Sequence, residues 1–444
     1  MTPDPNVKSG KENPEELGIT KITVEGFKSI AKKQSIEIRP LTILAGANSS
    51  GKSSIMQPLL LLKQTVECPY DPGPLKLDGP NVFFTLPEQF LSKSEGDCFA
   101  NRFVIGIDFP NDMLFREVFG RKTGSRDFEL LELTENRNTV RPDMTWDEFS
   151  PLIPNGYRRL CSPPSDPDWR PDRERCFLRA RLPNKRDGML SAGLDLGFGF
   201  IFGFQITRLI HVPALRDNPR TYERTAAGPS FPGVFSHYTA SVILDWKAKN
   251  DGRLHDLGNN LEKLGLTWKV DAVEKDATSI EIRVGRLKHA AEEENDLVSI
   301  ADVGFGVSQV LPVLVALLVA RPGQLVYLEQ PEIHLHPRAQ EALAEILADA
   351  ANRGVRVVAE THSAMLLLAI QSLVAEGKIE TDKVILHWFE RNEEDGTTKI
   401  HRGDLNEAGA YGKKWPVDFG KVELELQSRY LNAAEPHLWG KSTK

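Results

Sequence analysis

Cysteine is scarce in this 444-residue sequence, and the few cysteines present form no metal-binding pattern. None belongs to a C-x-x-C pair or stands near a pair of histidines; they are Cys68, Cys98, Cys161 and Cys176. Structural zinc sites need such pairs at short, regular spacing. The spacing therefore argues against a zinc site and predicts reduced, partly buried thiols.

Long hydrophobic runs are also missing. The longest uncharged segment, 303–320, reads VGFGVSQVLPVLVALLVA, and its strictly apolar part begins only at Val310. A membrane-spanning helix needs about 20 apolar residues, so this segment predicts a glycine turn followed by a buried helix. Residues 1–18 are polar and lack the apolar core of a signal peptide. They predict a flexible leader on a cytoplasmic protein that does not enter a membrane.

The sequence has no overall excess of positive charge, no sustained heptad pattern and no internal repeat. Its formal net charge is −7, so any binding of nucleic acid has to come from a local basic patch. The missing heptads argue against a long coiled coil. With 40% hydrophobic and 26% charged residues, the composition is that of an ordinary globular protein.

Two segments alternate strand-like and helix-like patterns, which predicts a mostly parallel α/β sheet. The first, 19–125, contains the strand patterns TKITVEGF, QSIEI and LTILAG. The second, 280–401, contains the strands LVYLE and VRVVAE, separated by a helix that ends at Gly354. We interpret them as two lobes of one domain, with 126–279 as an insertion that is arginine-rich at first and mixed α/β later. Residues 402–444 form a C-terminal tail in this interpretation.

Residues 46–53, GANSSGKS, match the phosphate-binding pattern G-x-x-x-x-G-K-[ST] between a predicted strand and a predicted helix. The glycines permit a tight loop whose backbone N–H groups face phosphate oxygens at a helix N-terminus. The pattern predicts that Lys52 contacts the β- and γ-phosphates and that Ser53 binds Mg²⁺. The predicted nucleotide-binding residues of this loop are Gly46, Ala47, Asn48, Ser49, Ser50, Gly51, Lys52, Ser53 and Ser54.

Two further strand ends carry polar residues suited to the same site. Glu329 ends the strand LVYLE, where a carboxylate is predicted to bind Mg²⁺ together with Ser53. His362 follows the strand VRVVA within AETHS. A lone histidine is more often structural, but ligand-binding loops gather at the carboxyl edge of open α/β sheets, which favours a functional role for His362.

Taken in order, GANSSGKS, VGFGVSQ, LEQPEIHLHP and ETHS resemble the motifs of ABC-class ATPase heads. EGFKSI before the first loop and HLHP after the acid resemble the RecF, SMC and overcoming-lysogenization-defect group of AAA ATPases in particular. The resemblance covers 19–125 and 280–400. It implies an α/β P-loop NTPase of the ABC-ATPase head type with a large α+β insertion, and it implies ATP and Mg²⁺ as ligands and ATP hydrolysis as the reaction.

The family pattern also implies contacts between two subunits. VGFGVSQ stands where ABC heads carry their signature, so Gly306 and Ser308 would contact the γ-phosphate of ATP bound by a second subunit. The usual LSGGQ-like order is absent, and a tight turn before a buried helix is the alternative. His334 and Leu335 would lie in the loop that crosses the interface of a homodimer or higher even oligomer, and His362 would contact the γ-phosphate of its own subunit.

Gln330 stands where related ATPases carry a glutamate that activates water. An amide can orient water but cannot accept its proton, and losing general-base help costs about 10²–10⁴-fold in rate. The sequence therefore predicts slow hydrolysis, with Glu332 or His362 as alternative groups that polarise the water. Gln89, in LPEQFLS, is a candidate Q-loop glutamine, although a surface loop is the simpler interpretation.

Arginine is concentrated in residues 157–186, where nine lysines and arginines stand against four acids, beside Tyr157 and Trp169. Such a segment can bind the phosphates and stack on the bases of DNA or RNA. A solvated, salt-bridged loop and a docking surface for an acidic partner are the alternatives. Arg216 and Arg220 present a similar choice, between a phosphate contact and an ion-paired structural corner.

Proteins of the overcoming-lysogenization-defect type continue into a Toprim-like nuclease domain, whereas only a short segment without an acidic cluster follows His401 here. By family analogy, we expect a separately encoded effector, a nuclease or toxin, as in the stand-alone ATPases of the anti-phage systems Septu, PARIS and some retrons. Two other functions stay open. One is a RecF-like repair or recombination ATPase that clamps DNA directly, and the other is a nucleotide-locked scaffold without turnover.

Overall fold

A six-stranded sheet forms the centre of the molecule. The structure is a computed structural model and describes residues 18–93, 99–122, 128–153, 155–158, 163–164, 166, 168–182, 194–226, 228–286, 296–412, 428–432 and 434. In spatial order the central strands are β11 (Ile210–Val212), β16 (Leu325–Glu329), β17 (Arg356–Thr361), β3 (Leu41–Gly46), β18 (Val384–Arg391) and β19 (Thr398–Gly403). The first five are parallel, and β19 is antiparallel to β18. The carboxyl ends of β16, β17 and β3 therefore lie at one edge.

A second, antiparallel sheet of six strands packs against the first. In spatial order it contains β2 (Gln34–Glu37), β1 (Lys21–Glu25), β4 (Arg102–Asp108), β5 (Leu114–Arg121), β6 (Phe128–Glu135) and β7 (Asn138–Val140). Smaller sheets contain β8 (Asp172–Glu174), β9 (Phe177–Leu182) and β10 (Leu194–Gly197), and β12 (Tyr222–Glu223), β13 (Val270–Glu274), β14 (Ser279–Gly285) and β15 (Leu297–Ser299). The three sequence patterns predicted as strands in the first lobe are strands in the structure.

Two helices near the carboxyl edge of the central sheet begin at residues that suit a helix start. Ser363 accepts a hydrogen bond from the third residue of its helix, and Pro337 occupies a first helical position that needs no N–H donor. The main helices are α1 (Lys52–Val66), α2 (Trp146–Phe149), α3 (Asn155–Arg158), α4 (Phe200–Arg208), α5 (Thr239–Ala248), α6 (Arg253–Lys263), α7 (Phe305–Val319), α8 (Pro337–Asn352) and α9 (Ala364–Ala375), and residues 428–432 are also helical. The predicted buried helix after a glycine turn is α7, and no helix of the described residues is long and apolar enough to cross a membrane.

Both faces of the central sheet are buried, which explains why its strands read as continuous apolar runs. Along β3, Leu41, Ile43 and Ala45 pack into one cluster with α7 and α8. Leu44, on the other face, packs into a second cluster with α1 and the antiparallel sheet. The phosphate-binding loop between β3 and α1 is therefore fixed at both ends by the core.

The strand pairing crosses the predicted lobe boundaries. β6 and β7 continue the antiparallel sheet beyond residue 125, because β6 pairs with β5 over its whole length. β11, inside the predicted insertion 126–279, is an edge strand of the central sheet. Loops rich in arginine and proline separate these strands. Their composition suggested a separate insertion and gave no sign that the strands belong to the two large sheets. The predicted leader, apart from Gly18, and most of the predicted tail lie outside the described residues.

A buried histidine in β18 predicts a pH-dependent stability. His387 is buried, its Nε2 donates to the backbone oxygen of Glu37 at 2.8 Å, and burial lowers its pKa to about 4. The unfolded chain therefore binds the proton first as pH falls, and stability present above pH 6.5 is lost between about pH 6.5 and 4. The loss amounts to about 3 kcal/mol at most.

Denaturant unfolding at pH 7, 6 and 5 measures this effect in the wild type and in His387→Gln, whose amide retains a donor for Glu37. The wild type should lose more free energy of unfolding than the variant over this range. Equal losses in the two proteins would show that His387 does not cause the pH dependence.

Candidate nucleotide-binding site

Two glycines bend the phosphate-binding loop into a shape that excludes side chains at their positions. Gly46 has a φ of 152° and Gly51 a φ of 97°. A Cβ at Gly46 would lie 2.4 Å from the backbone oxygen of Phe389, and one at Gly51 would lie 2.3 Å from Oγ1 of Thr398. Glycine is therefore required at both turns of the loop.

The β18–β19 hairpin supports the loop from one side. Thr398 donates from Oγ1 to the backbone oxygen of Ser50 at 2.8 Å and from its N–H to that of Ser29 at 2.7 Å. Arg391 donates to the backbone oxygen of Ser49 at 3.2 Å. These bonds fix the loop's backbone while its tip, from Ala47 to Ser49, stays exposed. The predicted loop residues thus form one continuous concave segment.

Lys52 is folded back onto its own loop. Its Nζ donates to the backbone oxygens of Gly46 and Ala47 at 3.0 and 2.9 Å. Burial lowers its pKa, while Glu360 and Glu332 act in the opposite direction. Phosphate oxygens are stronger, charged acceptors than these carbonyls, so the lysine is positioned to exchange them for a bound phosphate.

Ser53 lies in a buried polar group at the carboxyl end of the central strands. Its hydroxyl donates to Oε2 of Glu360 at 2.8 Å, and the hydroxyl of Tyr327 donates to the other oxygen of the same carboxyl. Burial, followed by the neighbouring Glu329, raises the pKa of Glu360 to about 7. An oxygen-rich group of this kind suits a hard cation such as Mg²⁺.

Glu329 is held by a buried histidine on the edge strand β11. Its carboxylate lies 3.2 Å from Nε2 of His211 and accepts the N–H of Ala214 at 3.1 Å. The amide nitrogen of Asn81 lies 3.0 Å from Nδ1 of His211 and 3.0 Å from the backbone oxygen of Gly233. An amide nitrogen only donates, so Nδ1 accepts and Nε2–H donates to Glu329. Burial would raise the pKa of Glu329, but these bonds lower it.

Arg216 joins the Glu329 strand to the start of α7. Its guanidinium donates to the backbone oxygens of Glu329 at 2.7 Å and Gln309 at 2.9 Å. Burial lowers its pKa to about 10, which leaves it charged at neutral pH. Arg220, by contrast, is exposed and pairs with Asp302 at 2.7 Å. Of the two alternatives for these arginines, the contacts favour the structural corner.

Glu332 has a carboxyl oxygen without a hydrogen-bond partner among the described residues, and its charge acts on the pKa of Lys52. Its Oε1 accepts from the Thr361 hydroxyl at 2.6 Å and from the backbone N–H of His362 at 3.1 Å. Its Oε2 is buried without a hydrogen-bond partner among the described residues, and burial raises its pKa. Gln330 is half-buried, with a φ of 44° and its N–H on the backbone oxygen of Glu360.

His362 faces the same loop. Its pKa is lowered by burial and then by the charge of Lys52, while a hydrogen bond with the backbone of Gly46 opposes this shift. The fold therefore brings together Lys52, Glu332 and His362 from three separate parts of the sequence. They lie at the edge where β3, β16 and β17 end.

The predicted signature lies differently from the expectation. α7 begins at Phe305, so Ser308 falls on the buried side of its first turn and donates to the backbone oxygen of Phe305 at 3.1 Å. Gly306 is half-buried, and Phe305 is exposed beside the ring of His334. Leu335 is buried in the core. His334 is thus available at the surface, whereas the side chains of Ser308 and Leu335 are not.

Gln89 caps its own turn rather than facing the loop. Its Oε1 accepts from the backbone N–H groups of Thr85 and Leu86 at 2.7 and 3.2 Å. This matches the surface-loop interpretation.

Most of the described arginines of 157–186 contact protein groups. Arg158 donates to the backbone oxygen of Ile153, and Arg175 to that of Cys68. Trp169 packs against Trp146 and donates to the backbone of Arg181, so its ring is used in packing. These contacts favour the salt-bridged loop. The side chain of Tyr157 and residues 183–186 lie outside the described part.

Two residues of this site were missed by the sequence interpretation. Glu360 is the acid of the segment AETHS. A charged residue at the end of an apolar strand is a pattern from which its role at the site could have been predicted. His211 is a polar residue in the apolar run LIHV, but nothing in the sequence pairs it with Glu329.

Family models match both halves of this site. One described as "AAA ATPase domain" matches residues 18–153, which include the phosphate-binding loop. Another, described as "AAA domain, putative AbiEii toxin, Type IV TA system", matches 220–369, which include Glu329, Glu332 and His362. The chain is an ABC-class AAA ATPase. Both matches and the relative Old nuclease support the predicted group of SMC, RecF and overcoming-lysogenization-defect ATPases. The predicted α/β P-loop NTPase fold is confirmed.

Old nuclease of Escherichia phage P2 is a relative of this ATPase, 21% identical over 397 residues. The alignment covers 79% of the ATPase and 57% of Old nuclease, so the ATPase spans little more than half the length of this relative. Nuclease activity, which its name states, belongs to that protein.

Among solved structures, the SMC head domain from Thermotoga maritima aligns with 88% of the ATPase and 99% of its own chain, at 12% identity and a TM-score of 0.41. An Smc head bound to the C-terminal domain of ScpA derived from Pyrococcus furiosus aligns with 93% and 100%, at 11% identity and a TM-score of 0.45.

Proposed function

We propose that the ATPase is a nucleotide-operated switch that dimerises around ATP, hydrolyses it slowly and regulates a separately encoded effector in prokaryotic anti-phage defence. The observation that carries the nucleotide part is the meeting of Lys52, Glu332 and His362 around the loop 46–54. The regulatory part rests on the family resemblance and on the descriptions of the matching proteins.

In this proposal, loop N–H groups and Lys52 bind the β- and γ-phosphates, and His362 contacts the γ-phosphate. Ser53 and Glu329 are the proposed Mg²⁺ residues, and the oxygen-rich group around Ser53 fits a hard cation. Mg²⁺, when bound, neutralises charge that develops on the transferred phosphate. The loop backbone is pre-shaped by its glycines, so little reorganisation accompanies binding.

Water activation is assigned to Glu332 with help from Gln330. Glu332 keeps one carboxyl oxygen free while the other is fixed by Thr361 and His362. Gln330 can orient water but cannot take its proton. A base two residues from the usual position is expected to act less effectively, which accounts for slow turnover.

Exposed apolar side chains support dimerisation at the edge that carries the nucleotide site. Leu215, next to Arg216, is 88% exposed, Phe305 at the start of α7 is 62% exposed, and Leu368 in α9 is 58% exposed. Large exposed apolar groups can mark an interaction surface when they form one patch. A second subunit placed against this edge would cover them together with the nucleotide.

The effector and the biological setting rest on what the matching proteins are called. The model that matches 220–369 names a toxin of a type IV toxin–antitoxin system, and Old nuclease comes from a phage. Both support a role in conflicts between phage and host. The paired arginines of 157–186 give less support to direct clamping of DNA.

The first experiment is phosphate release from ATP by the purified chain, with Lys52→Ala as the blank, and light scattering with and without ATP. Turnover above the blank and an ATP-dependent doubling of mass are expected. Binding of ATP without turnover would leave a nucleotide-locked scaffold. No binding at all would overturn the proposal.

The variant Gln330→Glu is expected to raise turnover at least tenfold, because it supplies a carboxylate at the usual base position. General-base help is worth about 10²–10⁴-fold, and part of it is already provided by Glu332. Initial rates at saturating ATP measure the change, and Gln330→Met serves as a matched control without a base. An unchanged or lower rate in Gln330→Glu would count against the role assigned to residue 330.

A further inference from the structure

The carboxyl group that contacts the P-loop serine is Glu360, on the strand between β16 and β3. Ser53 Oγ lies 2.8 Å from Glu360 Oε2, and Tyr327 donates to the other carboxyl oxygen. Glu360 is only 3% exposed. Its position is therefore set by two hydroxyls and by the core around β17.

Glu329 is directed elsewhere by its own partners. One of its oxygens lies against Nε2 of His211 and the other against the N–H of Ala214. Among the described residues, Ser53 donates to Glu360 and not to Glu329. Glu329, the strand-end acid of the motif, is therefore engaged by His211 and Ala214, and the Ser53 hydroxyl is engaged by Glu360.

The two acids are direct neighbours across the sheet. Glu329 and Glu360 are Cα partners in the parallel pairing of β16 and β17. Two adjacent, buried carboxylates repel each other. A divalent cation on the serine hydroxyl would relieve this repulsion, and carboxylate oxygens are ligands that Mg²⁺ prefers.

We propose that Glu360 is a further Mg²⁺ residue of this ATPase, acting with Ser53 and beside Glu329 to hold the cation of Mg·ATP. This inference rests on the proposed function of the loop 46–54. It predicts that Glu360 couples the binding of metal to the binding of nucleotide. If the carboxyl had a purely structural role, its removal would change the nucleotide affinity equally with and without metal, or would not change it at all.

The test measures the affinity for a fluorescent ATP analogue in Mg²⁺ and in EDTA. The dissociation constant in EDTA divided by the dissociation constant in Mg²⁺ reports the coupling between metal and nucleotide. In Glu360→Gln this ratio should fall at least tenfold, while the affinity in EDTA stays unchanged or becomes tighter, because a negative charge near the phosphates is lost. Glu117→Gln is the matched control, since Glu117 is a fully buried carboxyl in β5, away from the site. Its ratio should equal that of the wild type.

A second readout uses Mn²⁺ in place of Mg²⁺. The electron paramagnetic resonance spectrum of Mn·ADP bound to the wild type should differ from that of Glu360→Gln, because a ligand of the ion changes. Glu360→Asp keeps the charge but shortens the side chain, so its ratio should lie below that of the wild type but fall less than tenfold. This variant replaces Glu360→Gln if that protein fails to fold. Wild-type coupling and an unchanged spectrum in the variants would overturn this inference alone. Absence of nucleotide binding by the wild type would overturn the proposed function as well.

Discussion

Glu332→Gln is expected to lower the rate of ATP hydrolysis by about 10²–10⁴-fold, the usual contribution of a general base. Glutamine retains one carbonyl oxygen for Thr361 and the N–H of His362, so the local structure should persist. Only the free, charged oxygen is removed. Single-turnover rates with saturating enzyme measure the chemical step directly.

The double variant Glu332→Gln with Gln330→Glu sharpens this test. The carboxylate introduced at position 330 should restore much of the rate that Glu332→Gln loses, because it can accept a proton from the same attacking water. Loss of ATP affinity in the single variant, with no rescue in the double variant, would mean that Glu332 positions the loop and does not act on water.

Arg216→Ala is expected to destabilise the protein by about 1–3 kcal/mol, because two carbonyls at a buried position each lose a hydrogen-bond donor. These carbonyls belong to Gln309 and Glu329, so the start of α7 and the strand-end acid should loosen together. Denaturant unfolding measures the free energy, and phosphate release should fall in parallel.

Arg220→Ala is the control within the same segment. Arg220 is exposed and forms a surface ion pair with Asp302, and such pairs contribute about 1 kcal/mol or less. A similar loss in both variants would show that the segment as a whole, and not the buried guanidinium, carries the stability.

The local structure around the candidate site was predictable from sequence because its signals are local. A glycine-rich loop between a strand and a helix fixes its own conformation, so residues 46–54 could be placed from their spacing alone. The strand ends at Glu329 and His362 followed from apolar runs that stop at polar residues. In each case the pattern and the structure depend on neighbours within a few positions.

The contacts between distant segments were not predictable in the same way. β11 has three residues, too few for a periodic pattern, yet it brings His211 to Glu329 across more than a hundred positions of sequence. Glu360 joins Ser53 because β17 lies beside β3, an adjacency that only the strand order determines. The same limit applies to Ser308, whose orientation depends on where α7 begins.

Composition left several interpretations of the arginine-rich segment open for a related reason. A count of charges describes what the residues could bind, and the fold decides what they do bind. Arg158 and Arg175 are engaged by backbone oxygens of the same chain, and Trp169 is packed against Trp146. The density of charge alone therefore did not show which of these side chains already have partners within the chain.

The β18–β19 hairpin that supports the loop 46–54 offers a place to observe the proposed switch in solution. Residues 392–395, in its turn, are exposed, yet Arg391 and Thr398 on either side bond directly to Ser49 and Ser50. A spectroscopic label on Glu394 would stay clear of the nucleotide while reporting movement of the loop through two hydrogen bonds. A change in fluorescence of this label on addition of ATP would therefore report movement of the loop that the hairpin contacts.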